Sequence, residues 1–276
     1  MTLDELLAAI EEDGSRESAA LLGGIAADYL AAAGRDDAPV SRWEEVSETS
    51  ARYDEPLPEG GKSLDEVARR VRDTVVNGAN WLAHPMAMGH QVSPPLPASI
   101  WSDAIISSLN NSLAVREMSP TITPLERRVV RWMCDAIGFG SGSGGTFTSG
   151  GTEATLTALV AARAQLLPNA WEDGIGTPAP VVLCGAHAHY AVSRAVGVIG
   201  LGVRQLLTVP AVDYRMDPRG LRERLEALRA EGRTVLAVVG TAGHTATGAF
   251  DDFDALADVC AEHGTWLHVD GAHGAS

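Results

Sequence analysis

Lysine is nearly absent: of 21 cationic side chains in 276 residues, Lys62 is the single lysine and the other 20 are arginine. Cations as a whole are outnumbered, and the formal net charge is -15. Nucleic acid and anionic membrane both require clustered positive charge, so both are excluded as expected partners. Long apolar runs are missing too, and none approaches the roughly 20 residues of a membrane helix. The opening stretch "MTLDELLAAIEEDG" is acidic and amphipathic, unlike a signal or transit peptide. Cysteine is scarce. Cys134, Cys184 and Cys260 lie far apart in apolar runs, an odd set without disulfide or metal spacing, which predicts reduced thiols in a cytoplasmic protein. Aromatic residues make up only 5% of the chain.

Apolar residues are plentiful, at 45%, enough for one large core or two modest ones. Up to about residue 80 they recur at helical spacing, in "LDELLAAIEE", "ESAALLGGIAADYLAAAG" and "SLDEVARRVRDTVVNGANWL". The third stretch opens with Ser63 and Glu66 in the spacing of a capping box. "DEPLPEGG" is punctuation, and "HPMAMGHQVSPPLPAS" carries too much proline for a helix and is expected to run extended. These features define residues 1–98 as a helical arm with an extended segment.

From residue 99 the pattern alternates. "TPLERRVVRWMCDAIGF" predicts an amphipathic helix opening at its proline, and "VVLCG", "VRQLLTV", "TVLAVVG" and "TWLHVD" predict strands. Between them lie the helical stretches "HYAVSRAVGVIG", "DPRGLRERLEALRAEG" and "DDFDALADVCAEHG". Such alternation predicts an α/β domain, 99–276, with a largely parallel sheet. Trp266, Leu267 and Val269 read as a buried strand that delivers Asp270 at its carboxyl end, where open α/β sheets hold ligands.

The run "GFGSGSGGTFTSGG" contains a literal G-x-G-x-x-G at Gly140, Gly142 and Gly145, but a helix precedes it and no acid follows a second strand, so a dinucleotide fingerprint is rejected. Phe147 stands where an esterase elbow requires glycine. "TSGGTEATLTALVAARAQ" is a glycine loop opening a helix, with Thr152 in the first turn. It suits a phosphate dianion, and equally an ordinary capped helix. His187 and His189 lack a third metal ligand at suitable spacing. His189, at a strand end, suits a structural hydrogen bond or a flat contact with a planar ligand. Asp251 and Asp252 are expected as helix-dipole partners, which leaves the glycines and hydroxyls of "TAGHTATGAF" unexplained.

Taken in order, "HPMAMGH", "SLNNSLAVREMSPTITPLE", "FTSGGTEATLTALVAAR", "HAHYAVSRA", "GTAGHTATGAFDD" and "WLHVDGAHGAS" resemble the group II pyridoxal-phosphate-dependent amino acid decarboxylases, over about residues 80–276. The resemblance implies the large domain of the aspartate-aminotransferase-like fold (fold type I), in a homodimer, with pyridoxal 5'-phosphate as cofactor and an amino acid as substrate. It implies that Gly151 and Thr152 bind the cofactor phosphate, that His189 stacks on the pyridine ring and assists catalysis, and that Thr245 lies on the cofactor side. Asp270 would face the pyridine nitrogen and Ala272 the ring's face. His84 would be a substrate-side residue, while Arg116 and Glu117 order a loop. His244 stands where many members carry threonine.

The family's Schiff-base lysine belongs after the "HVDxA" strand, beyond Ser276, and Lys62 lies outside the matching region. The expected function is therefore amino acid decarboxylation to an amine by the full-length form, with this chain a fragment inactive by itself. Two other readings stand beside it: one half of a split decarboxylase, and a non-catalytic dimerisation protein. Aspartate, glutamate, diaminobutyrate and aromatic amino acids all remain open as substrates.

Overall fold

The structure, a computed structural model, describes residues 2–4, 15–57 and 59–275. Most of the helix expected in "LDELLAAIEE" lies outside them. The chain separates into two compact units, Met1–Asn110 and Asn111–Ser276.

The first unit is helical. α1 (Ser15–Ala33) is followed by α2 (Val46–Ala51), α3 (Leu64–Arg70), a π-helical turn (Val71–Val76) and α4 (Pro97–Leu109). Ser63 caps α3 by accepting the Glu66 N–H at 3.3 Å, one half of the expected capping box. The Glu66 carboxylate instead pairs with Lys62 at 3.2 Å. Trp81 anchors the unit: its ring meets Tyr29 edge-on at 5.3 Å, and its indole N–H donates to the Val76 carbonyl at 3.2 Å. Residues 90–96 form no helix, and Pro97 begins α4, where its missing N–H costs nothing. None of the α4 residues is buried.

The second unit is a three-layer α/β assembly. A 3₁₀ turn (Arg116–Met118) leads to α5 (Ile122–Ala136), α6 (Gly151–Leu166), β1 (Val181–Gly185) and α7 (Tyr190–Val198). A second 3₁₀ turn (Val203–Gln205) precedes β2 (Leu206–Val209), β3 (Ala211–Val212) and β4 (Arg215–Met216). α8 (Pro218–Ala230), β5 (Val235–Thr241), α9 (Phe253–His263) and β6 (Trp266–Asp270) complete it. α5 opens two residues before its proline. Among the described residues β2-β1-β5-β6 form one parallel sheet.

Strand alternation builds two cores. Val182, Cys184 and Val239 pack with Leu159 and Ala162 of α6 and Val192, Ala195 and Val196 of α7. Val181, Leu183 and Val238 pack on the other face with Leu221, Leu225 and Leu228 of α8 and Leu256 and Val259 of α9. Asp217 and Asp252 cap α8 and α9, accepting N–H bonds from Arg219 and Ala255. The three cysteines are buried and unbridged.

Two expectations need correction. β6 is not a buried strand: Trp266 is 37% and Val269 43% exposed. Among the described residues it is one of the sheet's two outer strands, and no further strand covers its flank. β2 is also shorter than "VRQLLTV", because Val203–Gln205 close into a 3₁₀ turn first. The hairpin β3-β4 has no sequence signature. Asp213 and Tyr214 both take left-handed φ, at 49° and 65°, as a tight turn between two paired strands requires.

Candidate functional site

In a parallel sheet all the strands point the same way, so the ends of β1, β5 and β6 share one edge. The segments that follow them bring His187 and His189, Thr245, and Asp270 to that edge. Ligands bind there in open α/β folds. The start of α6 reaches the same place, because Gly151 lies against Ala272, just after β6. A Cβ on Gly151 would stand 2.6 Å from the Ala272 Cβ. Glycine at 151 is therefore a packing requirement, and it brings the first turn of α6 beside Asp270.

The resulting cleft, of about 310 Å³, is lined by Thr148, Gly150, Gly151, Thr155, His268 and Asp270, with Gly271 and Ala272 at the turn after β6. Gly150 is the N-cap of α6 and has no side chain to accept the first-turn N–H groups, which leaves the positive end of the helix dipole facing the cleft. The Glu153 carboxylate turns back to accept the Ser149 N–H at 2.7 Å, and hydrogen bonding to the Ser149 side chain first, then to its N–H, holds the Glu153 carboxyl below the usual range. Asp270 is 7% exposed and accepts the Ala272 N–H at 3.3 Å. His268, two residues earlier on the same strand face, keeps its Nε2 buried without a partner. Burial lowers the pKa of its imidazole, against the opposing pull of the Asp270 charge, so His268 is a neutral wall.

Gly151, Asp270 and Ala272 thus meet in one cleft, and Thr152 occupies the first turn of α6 with its side chain exposed. His189 and Thr245 stand at the ends of the neighbouring strands and do not line the cleft itself. His189 is the N-cap of α7, accepting the Ala191 N–H through Nδ1 at 3.2 Å, with Tyr190 packed 4.0 Å from its ring. Thr245 is exposed on the loop after β5. His84 belongs to the first unit, where it is buried and its Nδ1 accepts the Met86 N–H at 3.0 Å. Among the described residues no group of His, Cys, Asp and Glu side chains could hold a metal ion, and no helix is long and apolar enough to cross a membrane.

Residues 47–276 match the profile of the pyridoxal-dependent decarboxylase conserved domain. The chain belongs to the pyridoxal-dependent decarboxylase family. Curated relatives in the family include an L-2,4-diaminobutyrate decarboxylase of Rhizobium meliloti, 33% identical over 221 residues, an alignment covering 80% of this chain and 43% of that one. The cysteine sulfinic acid decarboxylase of Mus musculus is 32% identical over 239 residues, covering 86% and 48%. Among solved structures, mouse CSAD in apo form superposes with a TM-score of 0.88 at 30% identity, over 94% of this chain and 55% of that one. The glutamate decarboxylase domain of a Vibrio parahaemolyticus diaminobutyrate-pyruvate transaminase and L-2,4-diaminobutyrate decarboxylase gives 0.86 at 30% identity, over 94% and 57%. The chain spans about half the length of the curated relatives it matches. The fold is that of the fold type I large domain, incomplete relative to these decarboxylases.

Pyridoxal phosphate is the cofactor of this family, and the cleft suits it on its own chemistry. A helix start without a side-chain cap offers N–H groups to a phosphate, and a buried carboxylate in the same cleft offers a partner to a protonated ring nitrogen. The absence of a Cβ at 151 lets the turn after β6 pack directly against the helix start, which holds the two ends of the cleft together.

Sequence reasoning missed two anchors of the loops around this sheet edge. Asp251 is not a helix-dipole partner. It is buried, and its carboxylate accepts the N–H groups of Thr241 and Met216, each at 2.7 Å. Of two adjacent acids only Asp252 caps α9. The other anchor is Arg131, whose guanidinium donates to the carbonyls of Phe139, Gly140, Ser141 and Ser143 at 3.0–3.3 Å. Nothing in the sequence ties a helix arginine to the glycine loop that follows it.

Proposed function

We propose that these residues form part of a pyridoxal-phosphate-dependent carboxy-lyase that converts an amino acid to an amine and carbon dioxide. The observation that carries this reading is the convergence, in one cleft, of an uncapped helix start at Gly151 and a buried carboxylate at Asp270. One end of the cleft suits a phosphate and the other a cationic nitrogen. In this reading residues 99–276 are the cofactor domain and residues 1–98 the arm.

When bound, pyridoxal phosphate supplies an electron sink for the charge left on Cα as carbon dioxide departs. The protein's tasks are to bind, orient and hold protons. Gly151 and Thr152 would hold the phosphate through first-turn N–H groups and the threonine hydroxyl. Asp270 would hold the proton on the ring nitrogen, and low exposure strengthens that interaction. Ala272 would lie against one face of the ring. His189 would stack on the other and assist in proton movement, and Thr245 would donate a hydrogen bond from the cofactor side. His84 would contact the substrate. The relatives named above act, by their names, on amino acids carrying a second charged group, which supports a substrate of that class. A homodimer is in keeping with the surface of α4, which exposes Trp101, Ile105, Ile106 and Leu109. Three unbridged, buried thiols suit a cytoplasmic setting.

The experiment is equilibrium binding of pyridoxal phosphate to the 276-residue chain, with borohydride reduction and peptide mapping, alongside carbon dioxide release from a panel of acidic, basic and aromatic amino acids. Saturable binding that Asp270→Ala weakens about tenfold or more, without a matching loss of fold, is the expected result. Absence of binding refutes the cofactor reading. Carbon dioxide release only after adding a polypeptide carrying the remaining part of the relatives' length would favour a split enzyme.

A further inference from the structure

His244 has no role in the cofactor assignments above, yet it is one of the most enclosed polar side chains in the protein. Only 1% of it is exposed. Its Nδ1 lies 3.2 Å from the carbonyl oxygen of His187, in the segment after β1. Its Nε2 lies 3.3 Å from Oδ1 of Asp251, at the far end of the loop after β5. A carbonyl can only accept, which assigns a proton to Nδ1. Nε2 then faces a carboxylate oxygen, and one proton must lie between the two for the contact to be attractive.

The carboxylate carries the tie further, because the same Oδ1 accepts the Met216 N–H from the β3-β4 hairpin and Oδ2 accepts the Thr241 N–H at the end of β5. The His244 backbone closes its own loop, its N–H donating to Ala249 and its carbonyl accepting from Gly248 at 2.7 Å. The rings of His187 and His244 meet edge-on at 6.0 Å, and Tyr214 of the hairpin lies 5.4 Å from His187. Three separate segments are therefore fixed to one another through a single buried imidazole and its carboxylate. Two of them present residues assigned to the cofactor: His189 is two residues beyond His187, and Thr245 follows His244 directly.

We propose that His244 is a positioning residue of the cofactor site, which sets the loops bearing His189 and Thr245 in register with the cleft through its bonds to the His187 carbonyl and Asp251. The proposal rests on the cofactor reading above. It differs from a packing role in what it moves. Loss of the tie would loosen two presenting loops while the sheet and its cores keep their structure.

The test is titration of the full chain with pyridoxal phosphate, read by binding affinity and by the circular dichroism induced in the cofactor band. His244→Ala is measured at a temperature where far-ultraviolet dichroism shows it folded. An affinity loss of about tenfold together with a diminished induced signal is expected. Wild-type affinity and signal, with only a lower unfolding midpoint, would overturn the proposal and leave the cofactor reading intact. Failure of the wild-type chain to bind would overturn both. Should His244→Ala fail to fold, His244→Asn decides: its amide nitrogen falls near the Nδ1 position and retains a donor for the His187 carbonyl, while Asp251 loses its imidazole partner. A loss of about threefold supports the proposal, and unchanged binding and signal refute it.

Discussion

The contact between Gly151 and Ala272 allows a substitution whose cost and remedy are both readable from the geometry. In Gly151→Ala the new methyl would sit 2.6 Å from the Ala272 Cβ, about 1 Å or more inside ordinary carbon–carbon contact at about 3.5–4.0 Å. Neither partner is the flexible end of a long side chain. One is the first residue of α6 and the other lies in the turn after β6, where Ala275 N–H donates to the Gly271 carbonyl at 3.1 Å and Gly274 N–H to the Ala242 carbonyl at 3.1 Å. Relief must come from moving backbone, so an overpacking cost of about 1–3 kcal/mol is expected. Because the movement separates the helix start from Asp270, pyridoxal phosphate affinity should fall along with stability. Removing the opposing methyl isolates the cause. Gly151→Ala with Ala272→Gly should recover most of the loss, leaving about 0.5–1 kcal/mol from the added glycine. The assay is urea unfolding of the wild type, both single variants and the double variant, with a parallel cofactor titration. Additive destabilisation in the double variant would refute the reasoning, since the clash would not be where the structure puts it.

Further expectations concern buried groups. Asp251→Ala should cost about 3–5 kcal/mol by stranding the Thr241 and Met216 N–H groups, and Asp251→Asn about half of that, measured by denaturant unfolding. Burial pushes the thiols of Cys184 and Cys260 up to about 11 from 9.0, so the folded state holds these protons longer than the unfolded state does. Their contribution to stability is full below pH 9 and declines as pH rises from 9 towards 11. Urea midpoints that stay flat across that window would contradict it, as would rapid alkylation of either thiol at pH 8 in the folded chain. His268, lowered from 6.5 mainly by burial, works in the opposite direction: its contribution is present above pH 6.5 and is lost as pH falls below that. His268→Gln should flatten the acid side of the stability profile, and a normal imidazole titration of His268 followed by NMR would refute the assignment.

Much of this architecture was legible because its signals are local. β1 and β5 are short apolar runs rich in valine, and the helical periodicity of α8 and α9 is equally local, so these strands and helix starts could be placed within a residue or two. The parallel sheet followed from their alternation with helices. What escaped depends on contacts distant in sequence. An apolar run at a sheet edge looks the same as one in the middle, so the exposure of Trp266 and Val269 was not foreseeable. Two adjacent aspartates give no sign of which will cap and which will turn inward. The β3-β4 hairpin turns on Asp213 and Tyr214, which lack the glycine that usually marks such a turn. In the site, Gly151, Asp270 and Ala272 were found as members of ordered motifs, whereas the tie between His244, Asp251 and the His187 carbonyl includes a bond across 57 residues and has no motif.

The four carbonyls gathered by Arg131 bear on the cost of ligand capture. Residues 138–145 include Gly138, Gly140, Gly142, Gly144 and Gly145, a composition that in isolation would sample a broad ensemble and lose roughly 1–2 kcal/mol of backbone freedom per residue on being fixed. One planar guanidinium holds the centre of that stretch in a single shape before any ligand arrives. The stretch leads through Thr148 and Gly150 to the start of α6. In the proposed cofactor reading, disorder that an incoming phosphate would otherwise have to suppress would already be removed on folding, and Arg131 would preorganise the helix start from the loop that precedes it.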